Sequence, residues 1–269
     1  MAPSHDHGQP AGRPIWCGIR PIAGRRSAVS ALLGGEHLAD AVLRPVRAHH
    51  AFESCVERLA TSIRLGLYQD GSTLPPEREL AERIGVSRAT LREAIAALRE
   101  AGLVTTRRGR GGGTVVTFRP SEPGSAPTFA RPRSELLDAL DFRRIVEPGA
   151  AHAAAEKQLS TAQQQMLLTS LDEVTRATSK AVHRQADSLF HLAIASLSDS
   201  PLLIDAVTNV QMCLHDMLEA IPVLDRNIDH SRRQHVAVTE AIVSGAAAAA
   251  RRAMERHCDD TAALLRALM

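Results

Sequence analysis

Asp187 and His191 stand four residues apart in a segment of helical periodicity, so both project from one helix face, the spacing at which two side chains can share one ion. His235 and His257 fall on two later helical segments. Three imidazoles and a carboxylate form a donor set suited to Zn²⁺, or to Ni²⁺, Mn²⁺ or Fe²⁺ where water or a ligand completes the shell. Such a centre can hold a small ligand, or it can activate water at an open position as a metal-dependent enzyme would. No general-base or nucleophile motif accompanies the four residues, which weighs against the enzyme. The spacing alone does not bring the helices together. Any single histidine among the twelve is more often satisfied or exposed than ligating, and His183, His215 and His230 are read that way.

Arginines make a second group. Arg88, Thr90 and Arg92 lie at the start of one short amphipathic segment and Arg78 on the segment before it. A guanidinium fork can grip a guanine edge or a phosphate, and the N-terminal end of a recognition helix is the part that enters a major groove. Taken one at a time, these arginines would read as a solvated face paired locally, to Glu77 or Glu93 for example. The whole constellation favours nucleic acid.

The elements that position these arginines are legible in the surrounding residues. Pro75 and Pro76 suit a first helical turn, followed by Glu77 and Glu79 at its positive end. Leu80, Ala81 and Ile84 recur at helical spacing, Gly85 ends the run, and Ser87 is placed to cap a second helix from Arg88 to about Ala101 with the stripe Leu91, Ala94, Ile95 and Leu98. Leu103-Val-Thr-Thr and Thr114-Val-Val-Thr flank the basic run Arg107-Arg-Gly-Arg-Gly-Gly-Gly, the pattern of a hairpin with an arginine-rich tip. The run lacks the order and the strand-to-helix setting of a nucleotide-binding phosphate loop. Helix, turn, helix and hairpin make a winged helix-turn-helix.

Through Leu74-Pro-x-Glu-Arg-Glu-Leu-Ala, Gly85-Val-Ser-Arg, Leu91-Arg-Glu-Ala, Gly102-Leu-Val and Gly112-Gly-Thr-Val-Val, residues 54 to 117 resemble the winged-helix domain of the GntR family of bacterial transcription regulators. The resemblance implies operator contacts at Arg78, Arg88, Thr90, Arg92 and Gly109, with Arg108 and Arg110 beside the last. Residues 136 to 265 resemble the helical FCD-type ligand-binding domain of the FadR-like branch, through Asp141-x-Arg-Arg-x-Val-Glu-Pro, Asp187-x-x-Phe-His, His235-x-x-x-x-x-Ala-Ile and Ala250-x-x-x-Met-x-x-His257. There it implies a divalent metal held by Asp187, His191, His235 and His257, and a small organic-acid or sugar-acid effector. Arg143 matches an arginine that points into the pocket of similar domains, where it would take a carboxylate; on residues alone it could instead form a helix-surface pair with Glu147. A homodimer on double-stranded operator DNA, its affinity set by the effector, is the expected assembly, with repression as the expected outcome.

Composition agrees with this division. The formal charge of +2 hides an asymmetry: residues 50 to 119 carry 11 Lys/Arg against 8 Asp/Glu, whereas 134 to 269 carry 13 against 18. Only the first balance suits nucleic acid. Cys17, Cys55, Cys213 and Cys258 show no CxxC spacing, so neither a zinc ribbon nor a disulfide framework is indicated, and a reducing cytoplasm, with the nucleoid when DNA is bound, is the expected location. No apolar run is long enough for a bilayer, so no membrane partner is expected. Residues 1–49 read as a disordered extension, 50–119 as the winged helix-turn-helix, 120–133 as a proline-rich linker and 134–269 as an all-α bundle of about six helices. The helices are expected over 134–158, 161–177, 182–196, 201–221, 229–243 and 246–268, with Ser160, Ser200 and Asp229 as caps and Gly245 between the last two. The fold class is therefore mainly α with a small β wing.

Overall fold

A computed structural model describes residues 51–107, 109, 112–119, 131–220 and 225–268. The expected disordered extension lies outside these residues, as do Arg108, Arg110 and most of the expected linker. Among the described residues the chain is mainly helical, with one two-stranded sheet.

The N-terminal part opens with α1 (Ala51–Arg64), a helix that the sequence reading did not set out, although Cys55, Leu59 and Ile63 recur every four residues and are all buried. Next come α2 (Glu77–Ile84) and α3 (Arg88–Glu100). Gly85 ends α2 at φ 78°, a left-handed conformation that glycine adopts without steric penalty. Ser87 caps α3 by accepting from the Thr90 amide at 3.0 Å. Leu91, Ala94, Ile95 and Leu98 of α3 then bury against Leu59, Ile63 and Leu80. The strands β1 (Val104–Arg107) and β2 (Gly113–Val116) pair antiparallel, Val104 opposite Val116 and Arg107 opposite Gly113. Val104 and Val116 anchor this hairpin in the same core.

Six helices follow: α4 (Arg133–Ala155), α5 (Thr161–Arg176), α6 (Lys180–Leu197), α7 (Pro201–Ala220), α8 (Asp225–Val243) and α9 (Ala247–Leu268). Ser160 closes a full capping box with Gln163, and the Ser200 hydroxyl accepts from the Leu203 amide at 3.3 Å. Asp229 does not cap a helix. The helix already begins at Asp225, and Asp229 pairs inside it with Arg232 at 3.3 Å. Alanines let these helices approach closely: Ala151, Ala154 and Ala155 of α4 pack with Phe190 and Ile194 of α6, Val238 and Ile242 of α8, and Ala250 and Met254 of α9. Leu65, just beyond α1, is fully buried against Val146, Ala150, Leu192 and Val207 of the bundle. The Gln185 side chain of α6 also donates to the Arg64 carbonyl at 3.0 Å. The helix that carries Asp187 and His191 therefore touches the end of the first helix of the N-terminal part. None of the described helices is long and apolar enough to cross a membrane.

Candidate functional site: a buried histidine centre and an arginine-bearing helix

Helices α6, α8 and α9 each deliver one histidine to a common point. His191, His235 and His257 are all at most 2% exposed, and one ring nitrogen from each lies within 4.8 Å of the others. Asp187 stands at the rim, its carboxylate 3.4 Å from His235 Nε2 and 3.9 Å from His191 Nε2. Phe190, fully buried, packs against the His235 ring at a centroid distance of 4.5 Å and limits how that ring can turn.

Neighbours fix the state of the rings. The Arg143 guanidinium, a donor only, lies with Nη2 3.1 Å from His257 Nε2 and 3.4 Å from His191 Nε2, so both Nε2 atoms act as acceptors and carry lone pairs. His257 Nδ1 correspondingly donates to Gln234 Oε1 at 3.1 Å. His191 Nδ1 lies 3.0 Å from Glu147 Oε2, short of full hydrogen-bond alignment. His235 Nδ1 is buried with no hydrogen-bond partner. Burial, reinforced by neighbouring positive charge, pushes His257 well below the ordinary imidazole range, and burial takes His235 down to about 3 against the pull of Asp187. Both rings are neutral near pH 7. Burial raises the Asp187 carboxyl, but the surrounding imidazoles and the Arg143 guanidinium outweigh it and hold the group low.

Glu147 organises the back of the centre. Close to His191, it accepts from Arg143 Nε at 3.0 Å and Gln211 Nε2 at 2.6 Å, with the Cys258 thiol 3.6 Å away. Desolvation opposes its charge, yet Arg143 and His191 hold the carboxyl well below the usual range. The thiol is pushed up by burial and stays protonated. Arg143 and Glu147 thus form an i,i+4 pair, but one at most 2% exposed rather than a helix-surface pair.

A cavity of about 120 Å³ opens beside the centre, lined by Asp187 and His257 together with Arg184, Gln234, Leu218 and Leu264, among others. Arg143 does not line it, whereas Arg184 does. Sequence reasoning singled out neither Arg184 nor Gln234, named Glu147 only as a possible surface partner of Arg143, and left His183, which also lines the cavity, as an ordinary histidine. His215 is buried, and half-exposed His230 donates to Asp260 at 2.9 Å. The available signal for Arg184 was its place one turn before Asp187 on the same helix. Three buried imidazoles with converging ring nitrogens, a carboxylate at the rim and acceptors behind two of the rings are a donor set that fits a divalent metal, since ligating histidines normally give their second nitrogen to such an acceptor.

In the N-terminal part, Arg78, Arg88 and Arg92 are exposed, Thr90 is half-buried and Gly109 is exposed at φ 103°. Arg92 Nε lies 2.7 Å from Glu77, and Arg78 is 4.0 Å from Glu82. The local pairing expected for exposed arginines is therefore present at two of them, with ion pairs that are weak in water. The Thr90 and Ser87 hydroxyls are 2.8 Å apart at the head of α3.

Comparison with known proteins converges on the same two regions. The gntR family of bacterial regulatory proteins matches residues 52–116, and the FCD domain matches 138–260. The chain is 38% identical over 164 residues to RmpR of Mycobacterium gastri, a match spanning 59% of each chain. It is 33% identical over 209 residues, 70% of this chain and 75% of the other, to a protein of Escherichia coli assigned as an L-lactate dehydrogenase operon regulatory protein. Among solved structures, Escherichia coli McbR/YncC aligns with a TM-score of 0.50 at 16% identity, over 81% of this chain and 98% of that one, a likeness of fold.

Proposed function

Since the chain belongs to the GntR family of bacterial transcriptional regulators, in its FadR-like branch with an FCD domain, we propose that it is a cytoplasmic repressor whose hold on operator DNA is set by a small carboxylate bound beside a divalent metal. Its relatives regulate transcription, and the family is not one of enzymes. The observation that carries the reading of the bundle is the convergence of three buried histidines next to a cavity. His191, His235, His257 and Asp187 would hold the metal, which when bound supplies a positive centre for an anion. Zinc suits the imidazole set, as do nickel, manganese and iron.

On the DNA side, Arg88, Thr90 and Arg92 at the head of α3 read the major groove, Arg78 reaches the backbone, and the hairpin tip with Arg108, Gly109 and Arg110 follows the adjacent groove. A homodimer presents two such helices to the halves of a palindrome. Coupling between the sites is supported by the contacts of α6 with Arg64 and of Leu65 with the bundle: a shift of the Asp187-bearing helix is felt where α1 ends. The name of the Escherichia coli relative connects that protein with an L-lactate dehydrogenase operon, and a small hydroxy acid is a ligand of the class proposed here.

The test is operator affinity at fixed salt, measured on zinc-loaded protein with and without L-lactate, glycolate or D-gluconate. We expect one of these acids to change the affinity by about 5- to 150-fold, the ordinary range of allosteric coupling. His235→Ala should abolish the change while still binding DNA. An unchanged affinity with every acid would remove the effector from the account.

A further inference from the structure

A cleft of about 590 Å³ runs between α3 and the hairpin, lined by Arg92, Ile95 and Arg99 on one side and by Thr106, Gly113 and Thr114 on the other. Backbone hydrogen bonds fix its walls. The Leu74 amide donates to the Thr114 carbonyl at 2.8 Å and the Val116 amide to the Ser72 carbonyl at 2.9 Å, so β2 is held on the edge away from β1 as well. Arg99 follows Arg92 by close to two turns and therefore shares its face of α3. The acid on the wall, Glu77, is engaged by Arg92 Nε at 2.7 Å. Arg99 has no carboxylate partner among the described residues. Its Nη1 donates to the Thr106 hydroxyl at 3.4 Å, a long bond that leaves the other guanidinium donors and the hydroxyl proton for a ligand.

A sugar-phosphate strand divides the major groove of a duplex from the minor, so a protein with the head of α3 in one groove and its hairpin tip in the next must straddle that strand. The space between α3 and the hairpin is this cleft. Depth decides what Arg99 can touch. Arg99 stands about three turns beyond Arg88, about 16 Å along the axis, whereas the major groove is about 8.5 Å deep, so with Arg88 at the base edges Arg99 is level with the phosphates. We propose that the cleft seats the strand between the two grooves and that Arg99, with the Thr106 hydroxyl, binds one of its phosphates. The inference rests on the reading of α3 and the hairpin as the DNA-binding elements, and adds to it a contact that sets affinity and register without reading bases.

The experiment is binding of the full-length protein to a duplex recovered from a random-sequence pool and to a scrambled duplex of the same length, between roughly 50 and 200 mM potassium chloride. Arg99→Gln should weaken both duplexes alike, leave the ratio between them unchanged and reduce the slope of log affinity against log salt by about 0.9, so that its deficit against wild type shrinks about threefold across that range. Arg99→Lys keeps the charge and should keep the wild-type slope. Thr106→Val should weaken both duplexes with the slope unchanged, and carries the test if Arg99→Gln does not fold. A slope unmoved by Arg99→Gln, a ratio that shifts with it, or full affinity of Thr106→Val would overturn this inference and leave α3 standing as the reading helix. A wild type that prefers no sequence in the pool would overturn the reading of α3 and the hairpin itself.

Discussion

Replacing Glu147 with glutamine keeps the shape of the side chain and removes its charge from a place where two groups depend on it. Arg143, 1% exposed, would lose its counterion, and His191 would lose the carboxylate behind its ring. Breaking a buried ion pair by removing one partner costs about 3 to 5 kcal/mol, because the remaining charge is left in the interior. Each kcal/mol moves the midpoint of a domain of this size by about 2 to 4 °C, so Glu147→Gln should melt roughly 6 to 20 °C below wild type. A control at Glu255, which pairs with Arg144 at 3.4 Å near the surface, should move it by less than about 1 kcal/mol. Zinc affinity, read by competition with a chromophoric chelator, should also fall by about 10- to 100-fold as His191 loses the group that orients it. Thermal denaturation and the competition together decide the matter. A Glu147→Gln protein that melts within 2 °C of wild type or keeps its zinc affinity would refute the assignment of Glu147 as both counterion and orienting group.

Gln234→Ala removes the acceptor for His257 Nδ1 and should lower zinc affinity by about 10- to 100-fold with little effect on the melting of metal-free protein, checked by the same competition. Metal-free protein should lose stability as pH falls below about 6.5. His235, with its folded value near 3, and His257, also lowered, stay neutral while the unfolded chain takes up protons, a loss of up to about 1.4 kcal/mol per pH unit for each ring. Melting at pH 7.5 and 5.5 reads this, and equal stability at the two would show that the rings are not buried neutral. Ser87→Ala deletes the cap of α3 and should cost about 1 kcal/mol in urea denaturation, with no change in zinc content.

The winged helix was legible because its signals are local. Gly85 and Ser87 end and begin helices through their own backbone and side chain, and the stripe from Leu91 to Leu98 needs no partner to be seen. The first helix carried a comparable stripe in Cys55, Leu59 and Ile63, which went unread without a cap to mark it. Asp229 failed as a cap because the helix begins four residues earlier, at Asp225, which leaves Asp229 inside it and paired with Arg232. In the bundle, Asp187 and His191 were visible from their spacing, but their meeting with His235 and His257 depends on three helices packing together. Arg143 and Glu147 show the limit most clearly. An i,i+4 pair has the same spacing on a wet surface as in a core, and only the packing of α4 in the bundle makes it the back wall of the histidine centre. Arg184 likewise becomes a cavity residue through tertiary packing, not through any motif.

The central claim, a sequence-reading regulator whose recognition helix is α3, is tested most directly by DNA recovered from a random-sequence pool with wild-type protein and then bound, at fixed salt, by wild type and by Arg88→Ala/Arg92→Ala. Salt is held constant because phosphate contacts alone change strongly with it. Each substitution should cost about 1 to 3 kcal/mol of specific binding, so the double variant should bind the selected sequence at least about tenfold more weakly while keeping its zinc. Equal affinity of the two proteins for the selected DNA, or a pool that never converges on a sequence, would contradict the account.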